Sequence, residues 1–92
     1  MIESFLHQGL QAFFESGSTA GIPPQHAGRL ARRLAALDAA DGPQDMNRPG
    51  WGLHPQPHDP AGHYAVWVSG FWRLSFRFEG SDAVLVNYQD FH

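Results

Sequence analysis

Asp90 and His92 stand two residues apart where the sequence closes, in Asp90-Phe91-His92. A carboxylate and an imidazole side by side can take up a proton and give one back, the imidazole in either role because it titrates near neutrality. Two guanidinium groups, Arg73 and Arg77, lie upstream in the alternating stretch Trp72 to Phe78. Arginine presents the planar fork that phosphate oxygens accept. A carboxylate, an imidazole and a cation in one hollow suit cleavage of an RNA phosphodiester. A base draws the proton from the ribose 2′-hydroxyl, an acid protonates the departing 5′-oxygen, and the guanidinium offsets the charge that builds on the phosphoryl oxygens.

That chemistry depends on how two strands are paired. Ala83 to Gln89 is rich in β-branched and aromatic residues and follows the turn-like Gly80-Ser81-Asp82, so it reads as a strand. Strict alternation sends Val84, Val86, Tyr88, Asp90 and His92 to one face. Pairing Phe78 with Ala83 brings Arg77 opposite Val84, Arg73 opposite Tyr88 and Asp90 near Phe71. Arg73, Arg77, Tyr88, Asp90 and His92 then share one surface. A slip of one residue sends Asp90 and His92 to the core side instead. A simpler reading competes, in which Arg73 and Arg77 solvate an exposed sheet face and pair with Asp90.

The elements that hold these strands follow from periodicity. Met1 to Phe5 suits a short edge strand. Phe5, Leu6, Leu10, Phe13 and Phe14 fall at helical spacing up to Ser16, with Gly17 as the stop. Pro23-Pro24 opens a second helix to about Ala40, with Leu30, Leu34 and Leu37 facing the core and Gly42-Pro43 ending it. Four prolines between Asp45 and Gly62 forbid a long central strand, leaving Trp51, Leu53 and His54 as a short one. Tyr64 to Val68 is a strand, and Ser69-Gly70 a hairpin signal into the strand of Trp72, Leu74, Phe76 and Phe78. The order β-α-α-β-β-β-β specifies an α+β fold, helices packed on a mostly antiparallel sheet, with residues 1–92 as one domain.

Composition narrows the function. The six arginines, nine acidic residues and absent lysine give a formal net charge of −3. A nucleic-acid binder that relied on long-range steering would be basic, so any RNA contact must be local. Arg29, Arg32 and Arg33 share a helix face and offer such a cluster, toward RNA phosphates or an acidic partner, or form a solvated face. Tyr64 and Tyr88 are better placed than the tryptophans to stack on bases, Trp51, Trp67 and Trp72 being core candidates. With no cysteine there is neither a disulfide nor a thiolate metal site. His54, His58 and His63 with Asp59 have ligand character, but a Pro/Gly loop does not fix them on one side, so no metal is expected. The start lacks a signal-peptide pattern, and no apolar run approaches the roughly 20 residues of a membrane span. A cytoplasmic location is the expectation.

The chain resembles the HigB branch of the RelE/ParE toxin superfamily, the killer proteins of type II toxin–antitoxin modules. The resemblance is carried in order by Ile2 to Phe5, Gly9-Leu10, Phe13 to Glu15, Gly17 to Thr19, Gly21-Ile22, His26-Ala27 and Arg29-Leu30. It continues through Arg48 to Trp51, Leu53 to Pro55, Val68 to Gly70, Trp72-Arg73, Phe76 to Phe78 and Tyr88 to His92. It implies a RelE-like fold and a metal-independent, cofactor-free endoribonuclease that cuts mRNA on the ribosome, silenced by a helix-turn-helix antitoxin of the HigA type that also reaches operator DNA. It places His54, Arg73, Asp90 and His92 in catalytic positions and Phe91 where the family commonly carries a tyrosine. Gly52 stands where an arginine is usual. Two other outcomes suit the same superfamily, a degenerate toxin that only binds antitoxin and a gyrase inhibitor like the ParE branch.

Overall fold

The computed structural model of the chain describes residues 1–56 and 62–91. Two helices, α1 (Gln8–Ser16) and α2 (Ala27–Ala39), precede four strands, β1 (His54–Pro55), β2 (Tyr64–Ser69), β3 (Trp72–Glu79) and β4 (Asp82–Asp90). Short 3-10 turns at Pro24–His26 and Pro43–Met46 flank α2. The strands pair antiparallel in the order β1-β2-β3-β4.

Residues 1–6 extend the sheet beyond β4, and they do so in parallel. Ile2 bridges Ala83 and Phe5 bridges Val86. Glu3 and Leu6 donate amides to the carbonyls of Ala83 and Val86, whose own amides donate to Met1 and Ser4 carbonyls. This pairing draws Phe5 and Leu6 out of the expected helix, so α1 starts at Gln8 instead. The His7 ring caps it, Nδ1 accepting from Leu10 N at 2.9 Å. Gly17 closes it as expected, in the left-handed conformation that glycine adopts without strain. The tip of α1 and the following loop meet at Gly9 and Gly21, where a Cβ on either glycine would lie within 3 Å of the other's Cα.

Leu30, Leu34 and Leu37 bury the inner face of α2 against Val66, Val68, Leu74, Phe76, Val86 and Tyr88. Period two thus gives the sheet its buried face and period 3.6 gives α2 its own. The β2–β3 turn falls one residue later than expected, on Gly70-Phe71, because Ser69 still pairs with Trp72.

The strand register is where structure and expectation part. Phe78 pairs with Ala83 and Arg77 with Val84, as expected. Beyond them β4 carries one extra residue, and the pairs become Ser75 with Asn87, Leu74 with Tyr88, Arg73 with Gln89 and Trp72 with Asp90. Leu85 takes up the excess as a β-bulge with φ +54, a conformation uncommon outside glycine. The cause is burial. Without the bulge, Asn87 and Gln89 would turn toward the helices; with it, Val86 and Tyr88 do, and both are buried there. Arg73 and Tyr88 therefore do not face one another, and the single surface expected for Arg73, Arg77, Tyr88 and Asp90 does not form. His92 lies outside the described residues.

Candidate active site

The helix-free face of the sheet carries Arg73, Ser75 and Arg77 from β3 and Asn87 and Gln89 from β4. Leu6, Gln56, His63, Ser75, Asn87 and Gln89 line a hollow of about 250 Å³ there. His54 belongs to the same face. It pairs with Ala65, which pairs with Ser75, which pairs with Asn87. Three strand spacings, roughly 14 Å, separate it from β4. His54 is exposed, and its Nδ1 lies 2.7 Å from the Gly52 carbonyl. A carbonyl only accepts, so Nδ1 carries the proton and Nε2 is the basic nitrogen of the neutral ring.

Arg73 stands between His54 and Asp90. Its guanidinium donates to the carbonyls of Gly70 at 3.2 Å and Trp72 at 3.3 Å, which pins it beside the β2–β3 turn. The Trp67 indole N–H donates to the same Gly70 carbonyl at 2.9 Å. Asp90 is exposed at the end of β4, one residue out of phase with Arg73. Just past it, Phe91 N donates to Phe71 O at 2.9 Å, and both phenyl rings are exposed. His54 and Arg73 thus lie on the helix-free face, and Asp90 ends the strand next to that of Arg73, out of phase with it.

The residues expected to bind RNA divide. Arg32 is exposed, and Arg29 lies 5.2 Å over the Trp67 ring while reaching Val68 O. Arg33 departs from the expected exposed face. It is buried, with Nε donating to Trp67 O at 2.7 Å and its guanidinium 4.6 Å from the centre of the Trp51 ring. Burial lowers its pKa, and the charges of Arg32 and Arg29 lower it further. A strand carbonyl facing α2 needs a donor, and Arg33 supplies it. Arg77 is paired with Glu79 at the end of β3 far from Arg73. Tyr88 also departs from expectation, being buried rather than on a polar face. Its hydroxyl lies 2.8 Å from His26 Nδ1 and its ring stacks on Trp72 at 4.8 Å. Burial pushes the phenol up to about 12, against a smaller pull from Arg33.

His26 and Leu85 were not singled out from the sequence for any role. A buried tyrosine hydroxyl needs a partner, and that requirement is the signal that points to a residue such as His26. Among the described residues no three His, Asp or Glu side chains gather as metal ligands, and His58 and Asp59 lie outside them. No described helix is long and apolar enough to cross a membrane.

Residues 3–92 match the model of a family described as HigB-like toxin, the RelE-like toxin of type II toxin–antitoxin system HigB. Endoribonuclease HigB of Proteus vulgaris is 41% identical over 92 residues, covering the whole of both chains.

Proposed function

This chain belongs to the HigB-like toxins of type II toxin–antitoxin systems, and from that premise we propose that it is a ribosome-dependent endoribonuclease of mRNA. It acts as a single domain in the cytoplasm, held silent by a HigA-like helix-turn-helix antitoxin that carries it to operator DNA. The observation that carries the reading is that His54, with Nε2 as its basic nitrogen, and the anchored Arg73 lie on the same open face of the sheet, with Asp90 at the end of β4. The name of the Proteus vulgaris relative supports the activity.

In the reaction, one of the titrating groups His54, Asp90 and His92 takes the 2′-hydroxyl proton and the 2′-oxygen attacks the adjacent phosphorus. A second gives a proton to the 5′-oxygen as it leaves. Arg73 offsets the charge on the phosphoryl oxygens. Arg29 and Arg32 engage ribosomal RNA phosphates from the flank, and Phe91 offers a ring for stacking.

Induction of His92→Gln at parental expression tests the assignment. Acid–base groups contribute about 10²–10⁴-fold in rate, so growth arrest and transcript cleavage on ribosomes should both disappear while antitoxin binding survives. Undiminished arrest would remove His92 from the mechanism, and arrest with a DNA-damage response in place of cleavage would favour gyrase inhibition.

A further inference from the structure

We infer that His26 is a positioning residue for this cleavage, fixing through Tyr88 the strand end that carries Asp90. The inference rests on the function proposed above.

Among the described residues, the last backbone bond from the N-terminal segment to β4 is Leu6 N to Val86 O, and beyond it the ladder of β4 runs with β3. A strand end paired on one edge frays unless side chains tie it down. Three rings do so here. Tyr88 stacks on Trp72, with centroids 4.8 Å apart and planes 30° apart. His26 sets its edge against both, 5.7 Å from Trp72 and 6.1 Å from Tyr88. Trp72 is also the residue that pairs with Asp90 across the ladder.

The polar contact inside this cluster is what makes it specific. His26 is only 6% exposed, in the 3-10 turn that leads into α2, and its Nδ1 is 2.8 Å from the Tyr88 hydroxyl. Burial keeps the phenol protonated, and the hydroxyl and the ring nitrogen share one hydrogen bond whose donor is set by the His26 tautomer. Apolar rings alone could slide. One hydrogen bond between a helix entry and a strand fixes the height at which β4 ends. Phe91 N to Phe71 O holds the residue after Asp90, so the backbone that carries the carboxylate is held on both sides. Catalytic groups need placing to within about 0.5 Å, and a shift of about 1 Å can cost on the order of 10²-fold in rate.

The test is single-turnover cleavage of a message on programmed ribosomes over a range of toxin concentration, yielding a maximal rate and a half-saturating concentration. His26→Phe keeps a ring and removes the hydrogen-bond partner; Tyr88→Phe removes the hydroxyl; His26→Asn returns an amide, donor and acceptor, near the place of Nδ1. His26→Phe and Tyr88→Phe should each lower the maximal rate about tenfold or more, with little change in half-saturating concentration. The double variant should be no slower than either, because one bond has been removed in all three. His26→Asn should recover most of the rate. A folded His26→Phe with parental maximal rate overturns the inference, as do single losses that multiply in the double variant. Should His26→Phe fail to fold, Tyr88→Phe decides by the same criterion. Asp90→Asn in the same assay separates the two levels. Absence of ribosome-dependent cleavage by the parent itself would sink the proposed function, whereas parental cleavage by Asp90→Asn, or slow Asp90→Asn beside fast His26→Phe, would sink the positioning role alone.

Discussion

The Ser4 hydroxyl accepts a hydrogen bond from the Leu85 amide at 2.8 Å. Leu85 is the bulged residue of β4, so its N–H has no place in the ladder with β3, and a side chain from the first residues of the chain satisfies it. Bulge and N-terminal segment are therefore one device. Ser4→Ala should cost about 1 kcal/mol, the usual net worth of one part-buried hydrogen bond, read as a lower denaturant midpoint. A midpoint equal to the parent's would mean that water replaces Ser4 there.

Arg32 and Arg33 are sequence neighbours with different tasks. Arg33→Met removes a charge-assisted bond to Trp67 O and the contact with Trp51, and should destabilise by about 2–4 kcal/mol. Arg32→Ala should change stability by no more than about 0.5 kcal/mol. Any loss of ribosome affinity belongs to the exposed residue. Chemical denaturation and ribosome sedimentation of the two variants would expose a reversed assignment.

Tyr88 makes stability depend on alkaline pH. The unfolded phenol ionises near 10 and the folded one at about 12. Between those values the unfolded chain has released a proton that the folded one retains. The stabilisation is complete below about pH 10 and is lost as the pH climbs toward about 12. The difference in unfolding free energy between parent and Tyr88→Phe should be flat up to about pH 10 and shrink above it. A flat difference across the whole range would contradict the buried setting of this hydroxyl.

Gly9 and Gly21 meet backbone to backbone, so neither can gain a methyl group without moving α1 from the loop. Gly9→Ala would be neutral or better on helix propensity alone, yet here it should destabilise by about 1–3 kcal/mol through overpacking. A stabilised Gly9→Ala would show that the contact yields.

Arg73→Lys keeps the charge and discards the fork. With one ammonium in place of a guanidinium anchored on Gly70 O and Trp72 O, maximal cleavage should fall by about 10²–10³-fold, as when one donor to a developing oxyanion is removed. Parental cleavage by Arg73→Lys would reduce Arg73 to a solvated surface residue.

Much of this architecture was legible because local chemistry sets it. Leu30, Leu34 and Leu37 mark the inner face of α2, Gly17 stops α1, and the turn after Glu79 fixes Phe78 against Ala83. Leu85 was not legible, since nothing in a leucine announces a left-handed backbone. The hydrophobic pattern did hold the clue. Val86 and Tyr88 want the core while Asn87 and Gln89 want water, and only an inserted residue reconciles this with Phe78 opposite Ala83. Arg33 was read as surface because helical spacing groups it with Arg29 and Arg32, and the spacing says nothing of a strand carbonyl across the interface.

The parallel pairing of residues 1–6 with β4 joins segments some eighty residues apart along the chain, Ile2 to Ala83 and Phe5 to Val86. During synthesis that outer ribbon has nothing to dock on until β4 has emerged, and contacts so distant along the chain form slowly. The Leu85 amide, the Ser4 hydroxyl and the placement of Asp90 are settled in that same late step. A nascent chain whose β4 has not yet emerged is thus a folding intermediate without its cutting edge.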